Sequence, residues 1–403
     1  MKVLYVCPFA AHTGHPPWAS QYEPKALLNN GIIVDLLTFS GIRSGCRAEV
    51  NEFIVFEPLR HKIINSIFEK MRSKVLFQWV LRVIEVSSTL IKAVQLSKDY
   101  DFIHLRDGEP FLFASRLIAI PYRIKWLISL TGGNLSIPNS SKEISSGKLI
   151  PVYRGLFNFF VNNPMWKLLY KLQKGKFRYI TQDDQTRKAY YPLFGNRITT
   201  VPMGSYQKTT QITKLEARRY LGLDQDAIVV LLFGVPHSGK NSKIIFEAVS
   251  QCKDIILICA GDSSMSLGER PEELVKQYDS GDRIRIFNKF IPESEKPYYF
   301  KAVDATILSY TKKFDSTSSM LWESCSYEIP VISSDANTLG KLVKDNQVGL
   351  IFEAENAESL QQCLINLRNH PDFVYSLKEN CIKFVQKYSL DIWANKIKEL
   401  YGK

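Results

Sequence analysis

At 403 residues the chain is longer than one hydrophobic core usually serves, and a 45% hydrophobic, 23% charged composition excludes a disordered, collagen-like or low-complexity protein. The formal net charge of +12 is uneven: residues 1–200 hold 27 Lys+Arg against 14 Asp+Glu, whereas residues 201–403 hold 25 against 26. No run reaches the ~18 apolar residues of a membrane span, and the seven scattered cysteines, with no C-x-x-C pair, read as reduced core thiols of a cytosolic protein.

The opening MKVLYVCPFA is an apolar run too short, and too soon broken by Pro8, for a signal peptide; it predicts a first strand over 3–7. The loop that follows carries Gly14, whose missing Cβ lets backbone approach a ligand closely, and His12 and His15, which titrate near neutrality and are acid/base candidates. Solvated loop histidines are the competing reading. Further β-rich runs at 32–39, 53–56, 102–105, 126–130, 178–181 and 198–201 alternate with helical patterns. At the end of the 102–105 run the turn HLRDGEP offers Arg106, Asp107 and Glu109; Asp107 is the candidate ligand-facing group, with a helix-capping aspartate as the plainer alternative.

Between Glu143 and Asp183 no acidic residue occurs, while Lys148, Arg154, Lys167, Lys171 and Lys174 are interleaved with Tyr153, Phe157, Phe159, Phe160 and Trp166. Basic, aromatic helices of this kind suit the headgroup region of an anionic membrane surface, although an ordinary solvated basic face has the same composition. The stretch 60–98 is similar but carries Glu69 and Glu85. No RNA- or DNA-binding module is recognisable, so no nucleic-acid partner is expected. The predicted location is cytoplasmic, peripheral to the inner membrane face if these segments touch lipid.

After Pro202-Met203-Gly204 the chain loosens and then alternates again, with strands predicted at 228–233, 255–259, 284–287, 305–308, 330–333 and 349–352, and a helical ending from Ala357. Alternation of this kind predicts an α/β protein of two domains with parallel sheets. The expected division is 1–205, 206–388, and a final helix 389–403.

Two loops in the second half bear chemistry. GVPHSGKN, residues 234–241, lies between a strand and a helix and is one residue from a P-loop, with Asn241 where a magnesium-binding hydroxyl should be; Asp262 would be its acidic partner. Whether or not it is one, Lys240 beside glycines at a strand-to-helix turn is placed for a diphosphate. The second loop follows strand 305–308: Asp315, then Ser316, Thr317, Ser318 and Ser319, small hydroxyl residues that cap a helix well, then Glu323 inside that helix. Helix N-termini beyond the carboxyl ends of parallel strands attract anions, and carboxylates there accept hydrogen bonds from vicinal diols. A nucleotide sugar has both groups.

Several segments in order resemble the retaining nucleotide-sugar glycosyltransferases of GT-B fold, family four, also called group 1. LLFGVPHSGK is similar to the family's FGxxRxxKG loop, FNKFIPESE to its base-proximal loop, Asp315 to Glu323 to its spaced pair of glutamates, and WESCSYEIPVISSD to the continuation, with Gln347 to Leu350 also in register. The resemblance covers residues 178–403 well and the first half in outline. It implies two Rossmann-like domains with parallel sheets facing a central cleft, the last helix crossing back to the first domain, and transfer of a hexosyl group to a glycan or lipid-linked acceptor with retention. By the same resemblance Lys240 and His237 face the diphosphate, Glu323 the ribose, Asp315 with Ser316–Ser319 the hexose and β-phosphate, and Asn288, Lys289 and Phe290 the base. Lysine and helix termini then carry the leaving-group charge, so no metal or other cofactor is expected. The sequence departs from the family pattern at Asp315 (for glutamate), His237 (for arginine), Asn241 (for glycine) and Thr131 (for a sugar-contacting histidine), which keeps open a silent sugar-nucleotide or glycan-binding homologue. A P-loop NTPase is the other alternative.

Overall fold

The computed structural model describes residues 1–11, 15–42, 49–56, 75–106, 124–130, 164, 176–236, 239–263, 269–278, 281–314 and 317–402. The chain divides into two compact units: the first runs to Met203 and takes back Leu390–Lys403, and the second is Gly204–Ser389. Each is built on one parallel sheet with helices around it, as the alternating pattern predicts.

In the first unit the strands are β1 (Lys2–Cys7), β2 (Ile33–Thr38), β3 (Asn51–Ile54), β4 (Phe102–Leu105), β5 (Lys125–Leu130), β6 (Phe177–Thr181) and β7 (Ile198–Thr200), in the order β3-β2-β1-β4-β5-β6-β7. Helices α1 (His15–Asn29), α2 (Val75–Leu96) and α3 (Asp184–Phe194) lie between them. Every residue of β4 is buried, and in β1 only Lys2 is not, as expected of strands covered on both faces. Leu4, Val6, Ile103, Leu105 and Trp126 pack in one core with Val86, Leu90 and Ala93 of α2. Helix α3 starts where it does because Asp183 accepts from the Thr186 backbone N–H at 2.7 Å.

The second unit has β8 (Ile228–Phe233), β9 (Ile255–Ala260), β10 (Ile284–Phe287), β11 (Ala305–Leu308), β12 (Val331–Ser334) and β13 (Gly349–Phe352), ordered β10-β9-β8-β11-β12-β13. Its helices are α4 (Lys214–Tyr220), α5 (Ser242–Ser250), α6 (Pro271–Gln277), α7 (Lys296–Ala302), α8 (Ser319–Ser326), α9 (Asn337–Asn346), α10 (Ala357–Asn369) and α11 (Pro371–Lys387). Side chains alternate across the sheet: Val230 and Leu232 meet α5 and α10, whereas Val229 and Leu231 meet Ala217 of α4 and Tyr299 and Phe300 of α7. The last helix, α12 (Leu390–Gly402), belongs to the first unit, where it packs on α1 and brings Trp393 and Tyr401 against its core.

Both sheets reverse their winding direction once, between β1 and β4 and between β8 and β11. At such a switch point the loops leaving two neighbouring strands diverge, and a crevice forms outside the carboxyl ends. The second unit's switch point is the one that holds the sequence's two chemical loops.

Candidate donor-binding site

The loops after β8 and β11 are tied to each other. Lys240 and Tyr310 form an antiparallel bridge, the Asn241 N–H donates to Ser309 O at 2.7 Å, and the Thr311 N–H donates to Gly239 O at 3.1 Å. A phosphate cradle of P-loop type needs the loop's N–H groups turned toward the ligand, and here that of Asn241 is spent on the neighbouring strand. The P-loop geometry is therefore not formed at Asn241. The floor of the site is equally constrained: Gly234 (φ +91°) and Gly261 (φ +152°) cross at the ends of β8 and β9, and a Cβ on Gly261 would lie 2.5 Å from Gly234 O.

Lys240 sits on this floor. Its Nζ donates to Phe233 O at 3.0 Å and Val235 O at 3.3 Å, and no carboxylate reaches it among the described residues. Loss of hydration around the ammonium pulls its pKa down to about 8. Among the described residues the ammonium meets carbonyls alone, an environment that an anion would complement. The N-terminus of α5, which sequence reasoning enlists beside Lys240, is already capped, because the Lys243 N–H donates to Glu269 Oε2 at 2.9 Å.

The helix after β11 is more open to a ligand. Ser318 caps α8, its Oγ accepting from the Met320 N–H at 3.3 Å while sharing a hydrogen bond with Tyr310 OH at 2.8 Å. Ser318 is buried, Thr317 is half-buried and Ser319 exposed. Phe314 stacks on Tyr310 at 3.9 Å, and Asn337 Nδ2 donates to Lys312 O and Phe314 O, which fixes the chain up to Phe314. Asp315, Ser316 and His237 themselves lie outside the described residues, as do Gly14, Asp107 and Thr131; of His15 only the backbone, as the first residue of α1, is described.

Glu323, in the second turn of α8, is 9% exposed. Its Oε1 accepts from Lys208 Nζ at 2.5 Å and Lys296 Nζ at 3.1 Å, and Oε2 accepts no hydrogen bond among the described residues. Burial raises the carboxyl's pKa, but the two lysines overcome it and hold the group down at about 2. Glu293 closes the circuit by accepting from both lysines, at 3.0 Å from Lys208 and in a short contact from Lys296. None of Lys208, Lys296 and Glu293 stands out in the sequence, because a polar connection and a helix-entry turn show no periodic signal.

Around the proposed base pocket, Asn288 accepts from the Ser263 N–H at 2.8 Å and donates to Glu272 at 2.5 Å. Lys289 is half exposed and paired with Glu295 at 2.6 Å, and Phe290 is 40% exposed. Phe290 thus offers an aromatic face at the end of β10, whereas Asn288 serves mainly to tie that end to β9.

The first unit has a buried polar cluster at the ends of β4 to β6. Sequence reading makes Arg106 a group open to ligand; in the structure it is 3% exposed and its Nη2 lies 3.4 Å from Glu23 Oε1, whose partner oxygen accepts a short hydrogen bond from Tyr5 OH. His104, overlooked in the sequence, bridges Tyr401 OH (2.7 Å to Nδ1) and Ser129 Oγ (2.9 Å to Nε2). Burial first, and Arg106 second, push its pKa down to about 3, so it is a neutral structural imidazole. Among the described residues no cluster of three metal-ligating side chains occurs, no helix is long and apolar enough to cross a membrane, and six buried cysteines form no disulfide.

Two units with parallel sheets of this topology define the GT-B fold, and similar solved structures span the whole chain. Sucrose-phosphate synthase from Thermosynechococcus elongatus covers 100% of this chain and 98% of its own, with TM-score 0.69 and 16% identity. HepE of Anabaena in complex with UDP-glucose covers 99% and 98%, with TM-score 0.67 and 14% identity. Residues 213–387, within the second unit, match the family model of glycosyl transferases group 1. Two curated relatives are a D-inositol 3-phosphate glycosyltransferase of Thermomonospora curvata, 23% identical over 46% of this chain and 45% of its own, and an alpha-D-kanosaminyltransferase of Streptomyces kanamyceticus, 22% identical over 55% and 57%. The chain spans about half the length of the curated relatives it matches.

Proposed function

We propose that this protein is a retaining, metal-independent glycosyltransferase that moves a hexosyl group from a nucleoside diphosphate sugar to a glycan or lipid-linked acceptor. The observation that carries this reading is Lys240: a desolvated ammonium with carbonyl contacts and no carboxylate partner among the described residues, at the switch point beside the N-terminus of α8. In the reaction the bond between the anomeric carbon and the β-phosphate oxygen breaks and a bond to an acceptor oxygen forms, with the acceptor's proton released. The charge that develops on the departing diphosphate is what the protein must stabilise. Lys240 does so as a fixed cation, His237 as a second donor, and Asp315 with the Ser316–Ser319 turn holds the hexose. Glu323 takes the ribose and Phe290 the base. UDP-glucose in the similar HepE structure supports a nucleotide-sugar donor for this chain too. The acceptor falls to the first unit, with Asp107 and His15 as its candidate groups, and its basic, aromatic segments suit an anionic membrane surface.

The test is a melting-temperature screen against UDP, GDP, ADP and their sugars, with and without EDTA. Stabilisation by one nucleoside diphosphate, unchanged by EDTA, supports the reading. Stabilisation by Mg-ATP alone overturns it. Binding of the sugar nucleotide with neither hydrolysis nor transfer assigns the chain instead to silent homologues, which the departures at Asp315, His237 and Thr131 make the second candidate.

A further inference from the structure

We infer that Lys208 and Lys296 are positioning residues for the donor's ribose: by capturing Oε1 of Glu323 between two ammonium groups, they turn a two-oxygen acceptor into one that presents Oε2 alone. The inference rests on the donor assignment above and adds residues to it that the sequence does not single out. Its basis is the asymmetry of the carboxylate. Both lysines reach the same oxygen, at 2.5 and 3.1 Å, from separate elements, one the connection after Gly204 and the other the start of α7. Both are largely buried, with side chains 8% and 14% exposed. Oε2 is left with no described hydrogen bond on a residue that keeps a small exposed surface.

A carboxylate that turns freely can accept from two vicinal hydroxyls at once. One oxygen clamped in place cannot be recruited, so the ribose is read through a single strong, oriented acceptor. The clamp also determines charge. Lys208, Lys296, Glu293 and Glu323 form a ring with two positive and two negative groups, each lysine bridging both carboxylates. Glu323 therefore adds little net repulsion against the diphosphate, and the attraction due to Lys240 is left uncancelled.

Among the described residues the charged groups facing Glu323 are these three; Tyr327 and Tyr206 lie beneath Lys208 with ring centroids at 5.0 and 5.8 Å, and α11 with its C-cap Tyr388, packed on the same helix, contributes Cys381 near Cys325 and the rings of Phe384 and Tyr388 against Trp322. If one lysine is removed, burial acts on Glu323 with less opposition, and its titration moves up toward neutrality.

The experiment uses the full chain, the nucleoside diphosphate (UDP, GDP or ADP) that it binds, and the 2′-deoxy form of that nucleotide. Affinities are measured at pH 6, 7 and 8 for wild type, Lys208→Met, Lys296→Met and the conservative Lys208→Arg. For Lys208→Met and Lys296→Met the expected result is ~10-fold weaker binding of the ribonucleotide at pH 7, a loss of the size typical for a charged hydrogen bond. The loss deepens from pH 8 to pH 6, shrinks for the 2′-deoxy nucleotide, and is largely rescued by Lys208→Arg. Where a methionine variant melts below the assay temperature, Lys208→Gln takes its place. Equal loss for ribo- and deoxynucleotide at every pH, or no loss, overturns the clamp while leaving the donor assignment standing. Wild-type protein that binds none of the three nucleotides removes the donor assignment and the clamp together.

Discussion

Raising the pH across Lys240 tests the donor site most directly. In the free protein its pKa is about 8, against 10.5 for an unburied lysine, and burial is the cause. The neutral amine cannot hold a diphosphate, so apparent affinity follows the protonated fraction: roughly 0.9 at pH 7, 0.5 at pH 8 and 0.09 at pH 9. Binding should weaken ~10-fold between pH 7 and 9, or about 1.4 kcal/mol. The terminal phosphate, with a second pKa of ~6, is already ~90% ionised at pH 7 and contributes almost no slope of its own in this range. Because the bound anion restores the lysine's pKa, complex formation at pH 8 should take up about half a proton per site. Titration calorimetry in two buffers of different ionisation heat measures that uptake. Lys240→Arg should bind with little pH dependence, and Lys240→Met should bind weakly at every pH. Wild-type affinity that is flat from pH 7 to 9.5, with no proton uptake, would refute the placement of Lys240 on the diphosphate.

Other outcomes follow from the same geometry. Glu323→Ala should weaken nucleotide affinity by ~1–3 kcal/mol, the usual cost of losing a charged hydrogen-bond partner; unchanged affinity would mean that the ribose lies elsewhere. Gly261→Ala places a Cβ 2.5 Å from Gly234 O, at a φ of +152°, and should cost roughly 1–3 kcal/mol in urea unfolding while reducing nucleotide binding. Acid should weaken the two units in different windows. His104, lowered to about 3, is protonated more readily in the unfolded chain, so its penalty is absent above pH ~6.5 and grows as pH falls toward 3, on the order of a few kcal/mol. Glu323, lowered to about 2, stabilises the second unit above pH ~4.5, and that contribution is lost as pH falls from there toward 2. His104→Gln should flatten the earlier phase alone; two-wavelength melts between pH 7 and 3 that show one coincident transition, unaffected by His104→Gln, would contradict this.

The fold was easy to read in this chain because its strands are buried on both faces and appear as unbroken apolar runs, IVVLLF and IILICA among them. Lys240 could also be singled out, because its neighbours in sequence, two glycines at a strand end, are its neighbours in space. What escaped notice was assembled over long separations. Lys208 meets Glu323 across 115 residues, and His104 meets Tyr401 across 297. Nothing local in QKTTQ or in the final helix predicts such partners. Arg106 failed for the opposite reason: its position in a polar turn suggested exposure, but Glu23 of α1 lies over it and the pair is buried together.

The three lysines of the second unit make a controlled comparison. Lys208, Lys240 and Lys296 are all desolvated, and burial alone lowers the pKa of each. In Lys208 and Lys296 the carboxylates of Glu323 and Glu293 reverse the effect and the pKa ends above its ordinary value. In Lys240 nothing reverses it. Among the described residues, Lys208 and Lys296 are each paired with two carboxylates, whereas Lys240, on the floor of the switch point, meets none. A shift from 10.5 to about 8 corresponds to ~3 kcal/mol held against folding at neutral pH. An anion bound there would remove that cost on arrival, and the diphosphate proposed above suits a strand end, a helix N-terminus and an ammonium.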